Sequence, residues 1–291
     1  MKSPLSARIF FLCSMGIFGT IGIFVKTIPI SSGALALSRA LIAILFLGAV
    51  LLASKVKLSL ATLRPELPWL LASGAAIAIN WILLFEAYKY TTVSVATLSY
   101  YFAPVLVTLL SPRLFRERMT AKGWICFGAS TLGLVLMTGV GNISGGSSHF
   151  LGILLGLGAA CFYAAVMLLN KKIQGVSGIP RTFLQFLSAI VILVPYVLFS
   201  GGFSSFSAMT APSWIMLLVV GLFHTGFAYC LYFSSMKELP GQEIAILSYT
   251  DPLLAVLLSV FLLRESITLW QIVGGALILG FTCWNEWKGS K

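Results

Sequence analysis

The sequence predicts an all-α integral membrane protein, with ten transmembrane helices arranged as two inverted five-helix repeats. Composition is the first reason. The 291 residues are 59% hydrophobic and only 9% charged, where a soluble globular chain carries about 25% charged residues. Apolar runs of the ~20 residues that a bilayer-spanning helix requires follow one another with short polar joints between them. The second reason is a stretch that occurs twice. Tyr101-Phe102-Ala103-Pro104 runs through Arg116-Glu117 to Thr120, and Tyr249-Thr250-Asp251-Pro252 runs through Arg264-Glu265 to Thr268. An offset of 148 superposes the copies without a gap, and ten of the twenty positions are identical, the proline and the Arg-Glu pair among them. The third reason is an uneven division of the cations between the two sides of the membrane.

Taken in order, Lys2 and Arg8 precede the apolar run Ile9–Val25. No small-residue cleavage site follows, so an uncleaved first helix is expected. Gly33–Ala53 makes the second helix, with Arg39 roughly two turns inside its start. The third is Trp69–Tyr88, the fourth Val93–Ser111 and the fifth Lys122–Val140. Gly141–Ser148 is a glycine-serine stretch that reads as a flexible linker. Phe150–Leu169, Thr182–Ser200, Trp214–Ser234, Gln242–Leu263 and Leu269–Glu286 complete the set. Each copy of the repeated stretch places a proline near the middle of a hydrophobic helix. A proline there removes a helix hydrogen bond and crowds the preceding turn, so Pro104 and Pro252 are expected to be hinges. Gly16, Gly19 and Gly22 in the first helix, and Gly152, Gly156 and Gly158 in the sixth, are small residues that let helices approach closely. The five cysteines fall inside these spans with no CxxC pair and read as packing residues.

With ten spans both termini share a side, and fifteen of the nineteen Lys and Arg residues fall on it. The other side keeps Lys26, Arg39, Lys89 and Arg264. The positive-inside rule places both termini in the cytoplasm, in a multi-pass protein of the inner or plasma membrane. The net charge of +11 is therefore a topology signal and not a nucleic-acid footprint. Trp69, Trp124, Trp214, Trp270, Trp284 and Trp287 lie near span ends, where amphipathic rings favour the headgroup region. Trp81 alone lies deep.

The repeated stretches are five helices apart, an odd number, so they cross the membrane in opposite directions. Residues 1–146 and 147–291 are then two inverted halves of one integrated transmembrane domain. Inverted halves place a site near the bilayer centre, between them, and allow it to open alternately to each side. That is the pattern of a secondary transporter. The residues Phe85-Glu86-Ala87-Tyr88-Lys89-Tyr90-Thr91-Thr92, Pro104, Arg116-Glu117, Asp251-Pro252 and Arg264-Glu265, with Arg39 in the second helix, carry a resemblance to a known family. The whole chain resembles the EamA-type transporters of the drug/metabolite transporter superfamily. The resemblance implies ten helices in five-plus-five inverted repeats, and efflux of small metabolites, amino acids, aromatic compounds or drugs through a central cavity. Glu86 departs from the aromatic or apolar residue expected at its place.

Asp251 lies about nine residues into the ninth helix, ~14 Å deep at 1.5 Å per residue. An acid at that depth faces a bundle interior or water, not lipid. It serves proton coupling, pairs with a cationic substrate, or bonds freed backbone groups beside Pro252. His224, in the middle of the eighth helix, is either a proton partner for coupling and substrate or a neutral ring bonded across helices. Asn80 and Trp81, Tyr100 and Tyr101, with Tyr163, Tyr229, Tyr232 and Tyr249, read either as an aromatic-lined substrate cavity with a few polar groups or as packing. Lys26, Arg39, Glu86 and Lys89 are expected near helix ends as snorkelling side chains, or as an outer gate or ion pair. Arg116-Glu117 and Arg264-Glu265 are expected to cap helices and fix joints.

Two histidines and few buried ionisable groups argue against an integral-membrane enzyme. No Walker-type nucleotide motif is present, and no metal or other cofactor is expected. Expected partners are a small-molecule substrate, the lipid bilayer and protons as the coupling ion, in a monomer or homodimer. Import or exchange of a small cationic or zwitterionic metabolite is the alternative to export.

Overall fold

The structure, a computed structural model, describes residues 4–55, 60–115, 121–138, 146–176, 178–236, 238–239 and 247–286. Arg116–Thr120, the linker residues 141–145, residues 242–246 of the expected ninth helix, and Trp287 lie outside the described residues. Every regular element is helical, with no strand among the described residues. The helices are α1 (Pro4–Thr27), α2 (Ser32–Ala53), α3 (Leu60–Tyr90), α4 (Val93–Tyr100), α5 (Ala103–Phe115), α6 (Ala121–Thr138), α7 (Gly146–Lys172) and α8 (Gly178–Phe199). A short 3₁₀ turn, Gly202–Ala208, leads to α9 (Ala211–Val219), a π-helical segment Val220–Phe227 and α10 (Ala228–Met236). Then come α11 (Thr250–Phe261) and α12 (Leu269–Glu286).

Among the described residues, six segments are long and apolar enough to cross a membrane: Leu5–Thr27, Ser32–Ala53, Leu63–Tyr90, Ser148–Lys172, Gly178–Phe199 and Ala211–Ser235. Shorter apolar helices cover Val93–Val107, Ala121–Leu136, Thr250–Phe261 and Leu269–Phe281. The protein is thus an all-helical membrane protein.

Several boundaries differ from expectation, each for a local reason. The third helix begins at Leu60 and runs through Pro65 and Pro68. Pro65 and Pro68 lack the N–H that a helix interior uses, and both are exposed, outside the packed core. The seventh helical element starts at Gly146, inside the expected linker. The expected fourth helix is two pieces, because Tyr101 and Phe102 turn the chain between α4 and α5. Pro104 therefore lies in the first turn of α5 and not in a helix middle, where a missing N–H costs nothing. Pro252 sits likewise in the first turn of α11, after a turn at Tyr249.

The eighth expected helix is continuous but carries the π-helical segment. There the Thr225 hydroxyl donates to the Val220 carbonyl five residues back, at 2.8 Å. Its glycines admit α2. An added Cβ on Gly221 would lie 2.6 Å from Ile42 Cβ, closer than side chains approach.

Small residues also set the core. Ala34, Ala36, Ala40 and Ala43 are fully buried along α2, beside Leu35, Leu47, Phe85, Phe186 and Leu193. The α3 helix packs on α7 and α8, and α2 on α8 and the π segment. The α1 helix packs on α10 and α11, α7 on α4 and α5, α11 on α4, and α6 on α12. The tryptophans divide as expected. Trp69, Trp124, Trp214, Trp270 and Trp284 are exposed on the outside of the bundle, and Trp81 is buried.

Buried polar groups are tied across helices. Gln185 donates to Ser73 Oγ and Asn170 Oδ1, both at 2.6 Å, joining α8 to α3 and α7. The Arg181 guanidinium donates to the Ile173 and Val176 carbonyls, which takes up carbonyls freed at the end of α7.

Candidate functional site

Two chain interruptions meet in the middle of the bundle. The first is the turn at Tyr101–Phe102 and the second the turn at Tyr249. Across them the Tyr101 hydroxyl donates to Asp251 Oδ2 at 2.5 Å. Both residues belong to the sequence stretch that occurs twice, so the contact joins copy to copy. Gly19 makes room for it, since an added Cβ would lie 2.7 Å from the Asp251 carbonyl oxygen. Its small size in α1 is thus used directly at the site.

Aromatic rings surround this pair. Tyr100 stacks on Tyr163 with centroids 5.0 Å apart and meets Tyr101 edge-on at 5.6 Å. A second group lies beside it. Trp81 and Phe186 meet at 5.1 Å, and Phe186 meets Tyr229 at 5.4 Å. Tyr88, Tyr100 and Tyr229 are within electrostatic reach of both Asp251 and Arg39, so they link the two groups.

Arg39 corrects the sequence expectation. It was placed near a helix end as a snorkelling side chain, but it is only 4% exposed, inside the bundle. Its guanidinium carbon lies 4.3 Å from the Trp81 ring centre and 5.2 Å from that of Phe85. Its Nε donates to Thr225 Oγ1 at 3.1 Å. The π segment presents that hydroxyl, and on its other flank it turns His224 toward α1. His224 Nε2 lies 2.8 Å from Thr20 Oγ1 and its ring 4.6 Å from Phe24.

The remaining expected site residues are placed as follows. Asn80 donates to the Ala159 carbonyl at 2.7 Å, tying α3 to α7. Tyr249 is buried at the turn that precedes Asp251. Tyr232 packs with Phe11 at 5.4 Å, toward the α1–α10 seam. Phe85, Phe186, Thr20 and Thr225 were not anticipated. Phe85 and Thr225 are adjacent to singled-out residues, so an arginine seeking a buried partner was the available signal.

A cavity of about 280 Å³ opens where α1 and α3 end and α2 begins. Lys26, Ser32, Leu35, Phe85, Tyr88 and Lys89 are among its lining residues. Phe85 thus borders the cavity and also meets the Arg39 guanidinium. Around the rim Glu86 accepts hydrogen bonds from Ser32 at 2.5 Å and Lys89 at 2.9 Å. Glu265 accepts from Lys26, from the Ser259 hydroxyl and from the Val93 N–H. Lys26 thus takes the ion-pair alternative to snorkelling, and Glu265 does more than cap. They join α1, α4 and α11 at one end.

Comparison with known proteins gives this arrangement a family. The model of the EamA-like transporter family matches residues 5–139 and again 150–285. The chain is 34% identical over 282 residues to the uncharacterized transporter YxxF of Bacillus subtilis (strain 168), covering 95% of this chain and 88% of that one. It is 30% identical over 203 residues to an uncharacterized transporter of Archaeoglobus fulgidus, covering 69% and 70%. One solved crystal structure shares the fold with a TM-score of 0.61 at 19% identity, over 95% of this chain and 96% of that chain. The chain belongs to the EamA-like transporter family and is a membrane transporter.

Proposed function

We propose that the protein is a secondary active transporter that exports a small metabolite by alternating access, with Asp251 as the coupling carboxylate. The observation that carries this reading is the Tyr101–Asp251 hydrogen bond between the two copies of the repeated stretch. It lies where both copies interrupt their helices, and interrupted helices are where transporters build their sites. The packing supports two related halves, residues 1–146 and 147–291. Label ten spans in chain order, counting α4 with α5, and α9 with the π segment and α10. Adding or subtracting five then turns the α3–α7 contact into α10–α1, α2–α8 into itself, and α7–α4 into α1–α11, all of which occur. Two halves related in this way have two equivalent packings, which is what alternating access requires.

The test is flux. Purified protein is reconstituted in proteoliposomes loaded with a mixture of amino acids, aromatic acids and amines. Efflux of each is followed by mass spectrometry with an acidic exterior. At least one compound is expected to leave faster than from protein-free vesicles, and faster with the proton gradient than without it. No accelerated compound sinks the transporter reading, and acceleration only with the gradient reversed makes the protein an importer or exchanger.

The cation split supports cytoplasmic termini. In a cysteine-free background, Ser204→Cys is expected to react with an impermeant maleimide in intact cells, and Ser54→Cys only after lysis. Both positions are exposed at opposite ends of the bundle. The opposite labelling pattern would reverse the orientation.

A further inference from the structure

Among the described residues the Arg39 guanidinium has no anionic partner. It is 4% exposed, and the hydrogen bond it makes there runs from Nε to Thr225 Oγ1. That hydroxyl is neutral and itself donates to the Val220 carbonyl. Among the described residues no carboxylate pairs with Arg39, and neither Nη group has a hydrogen-bond partner. Asp251 bonds to Tyr101 instead, Glu86 to Ser32 and Lys89, and Glu265 to Lys26, Ser259 and Val93. A buried ion costs more than one neutral hydrogen bond and two ring faces return. An arginine kept under those conditions has a use for its four free Nη hydrogens. Its planar fork matches a carboxylate bidentately.

A cavity of about 280 Å³ lies on the far side of Phe85 from Arg39, lined by Lys26 and Lys89, each of which is paired with a carboxylate, Glu265 and Glu86. Beside the guanidinium, Trp81, Phe186 and Tyr229 pack ring against ring and keep its surroundings apolar.

We infer that the transported molecule is a small organic carboxylate, and that Arg39 is the residue that holds the carboxylate. The inference deepens the transporter reading and rests on it for the step of translocation, but binding is tested apart from transport. The purified protein in neutral detergent is screened by thermal shift and intrinsic tryptophan fluorescence. Probes are benzoate, phenylacetate, indole-3-acetate, phenylalanine and tryptophan, each beside its amide, with phenethylamine as the cationic control. At least one acid is expected to raise Tm and change the fluorescence of the wild type, while its amide and phenethylamine do neither. Arg39→Gln is expected to weaken that acid at least ~30-fold, equivalent to about 2 kcal/mol. Arg39→Lys keeps the charge and loses the fork, so it falls between.

A second variant separates binding from structure. Arg39→Met removes the buried charge and keeps the bulk, so without ligand it is expected to melt above the wild type. A lower Tm for Arg39→Met, or equal acid binding by Arg39→Gln, overturns the inference. So does preference for phenethylamine, or stabilisation by added phosphatidylglycerol and by none of the acids, which would make a lipid phosphate the anion. If acids bind through Arg39 but no compound crosses a proteoliposome membrane, the transporter reading fails and the anion site stands.

Discussion

Asp251→Asn protein is expected to fold, to remain monodisperse, and to lose more than ~90% of uphill transport, a factor of ten that corresponds to 1.4 kcal/mol. The asparagine amide oxygen still accepts the Tyr101 hydroxyl, now 2.5 Å from Asp251 Oδ2, so the join between the two copies survives. What disappears is the ability to change charge. The repeat supplies the internal control: the position equivalent to Asp251 is Ala103, while the flanking tyrosine and proline occur in both copies. An architectural carboxylate would serve both halves alike. A ligand or a proton breaks the symmetry, and one acid suffices. Flux measured from pH 5 to pH 8 should depend on pH in the wild type and be flat in Asp251→Asn. Tyr101→Phe is the companion. It keeps the acid and removes one charged hydrogen bond worth about 1.5–3 kcal/mol, so it should lower Tm while leaving uphill transport measurable. Normal, pH-dependent uphill flux in Asp251→Asn would make the carboxylate structural.

Much of this was legible in the sequence because membranes restrict the choices. Apolar runs and the twin stretch lead to an all-helical membrane transporter without any knowledge of contacts. Asp251 and Tyr101 were also legible, since a buried acid and a tyrosine at equivalent places in two copies attract notice in so apolar a chain. Arg39 was seen and misplaced. Its position two turns inside a helix allows snorkelling when only one helix is considered. Only the packing of Trp81, Phe85 and Thr225 around it, from two other segments, shows that it points inward. The π segment was illegible for the same kind of reason. Val220–Phe227 has the composition of any apolar helix, and its extra residue per turn answers to the close approach of α2 at Gly221 and Gly226. The breaks before Pro104 and Pro252 were half legible. Proline marks the place, but whether the helix bends at it or restarts with it depends on neighbours that periodicity does not name.

Glu265 should be the most costly single carboxylate to remove from the fold. It accepts hydrogen bonds from Lys26 in α1, from Ser259 in α11 and from the Val93 N–H at the first turn of α4. Its side chain is 10% exposed while that of Lys26 is 30% exposed. The lysine pairing is therefore screened and worth at most about 1 kcal/mol. The other two donors are the larger part. Ser259 is fully buried and also takes the Ser94 hydroxyl at 2.8 Å, and the Val93 N–H opens a helix whose dipole favours a carboxylate there. Leaving them unpaired costs about 1–3 kcal/mol for each buried group. Glu265→Ala is thus expected to destabilise by about 3–5 kcal/mol, Glu265→Gln by less because its amide oxygen still accepts, and Lys26→Ala by under about 1 kcal/mol. Melting of the three variants in one detergent gives the order directly. The same loss frees α1 from α4 and α11 at the end where the cavity opens, so a cysteine at Ser94 should label faster in Glu265→Ala than in Lys26→Ala. Equal melting and equal labelling in those two variants would reduce Glu265 to a surface ion pair.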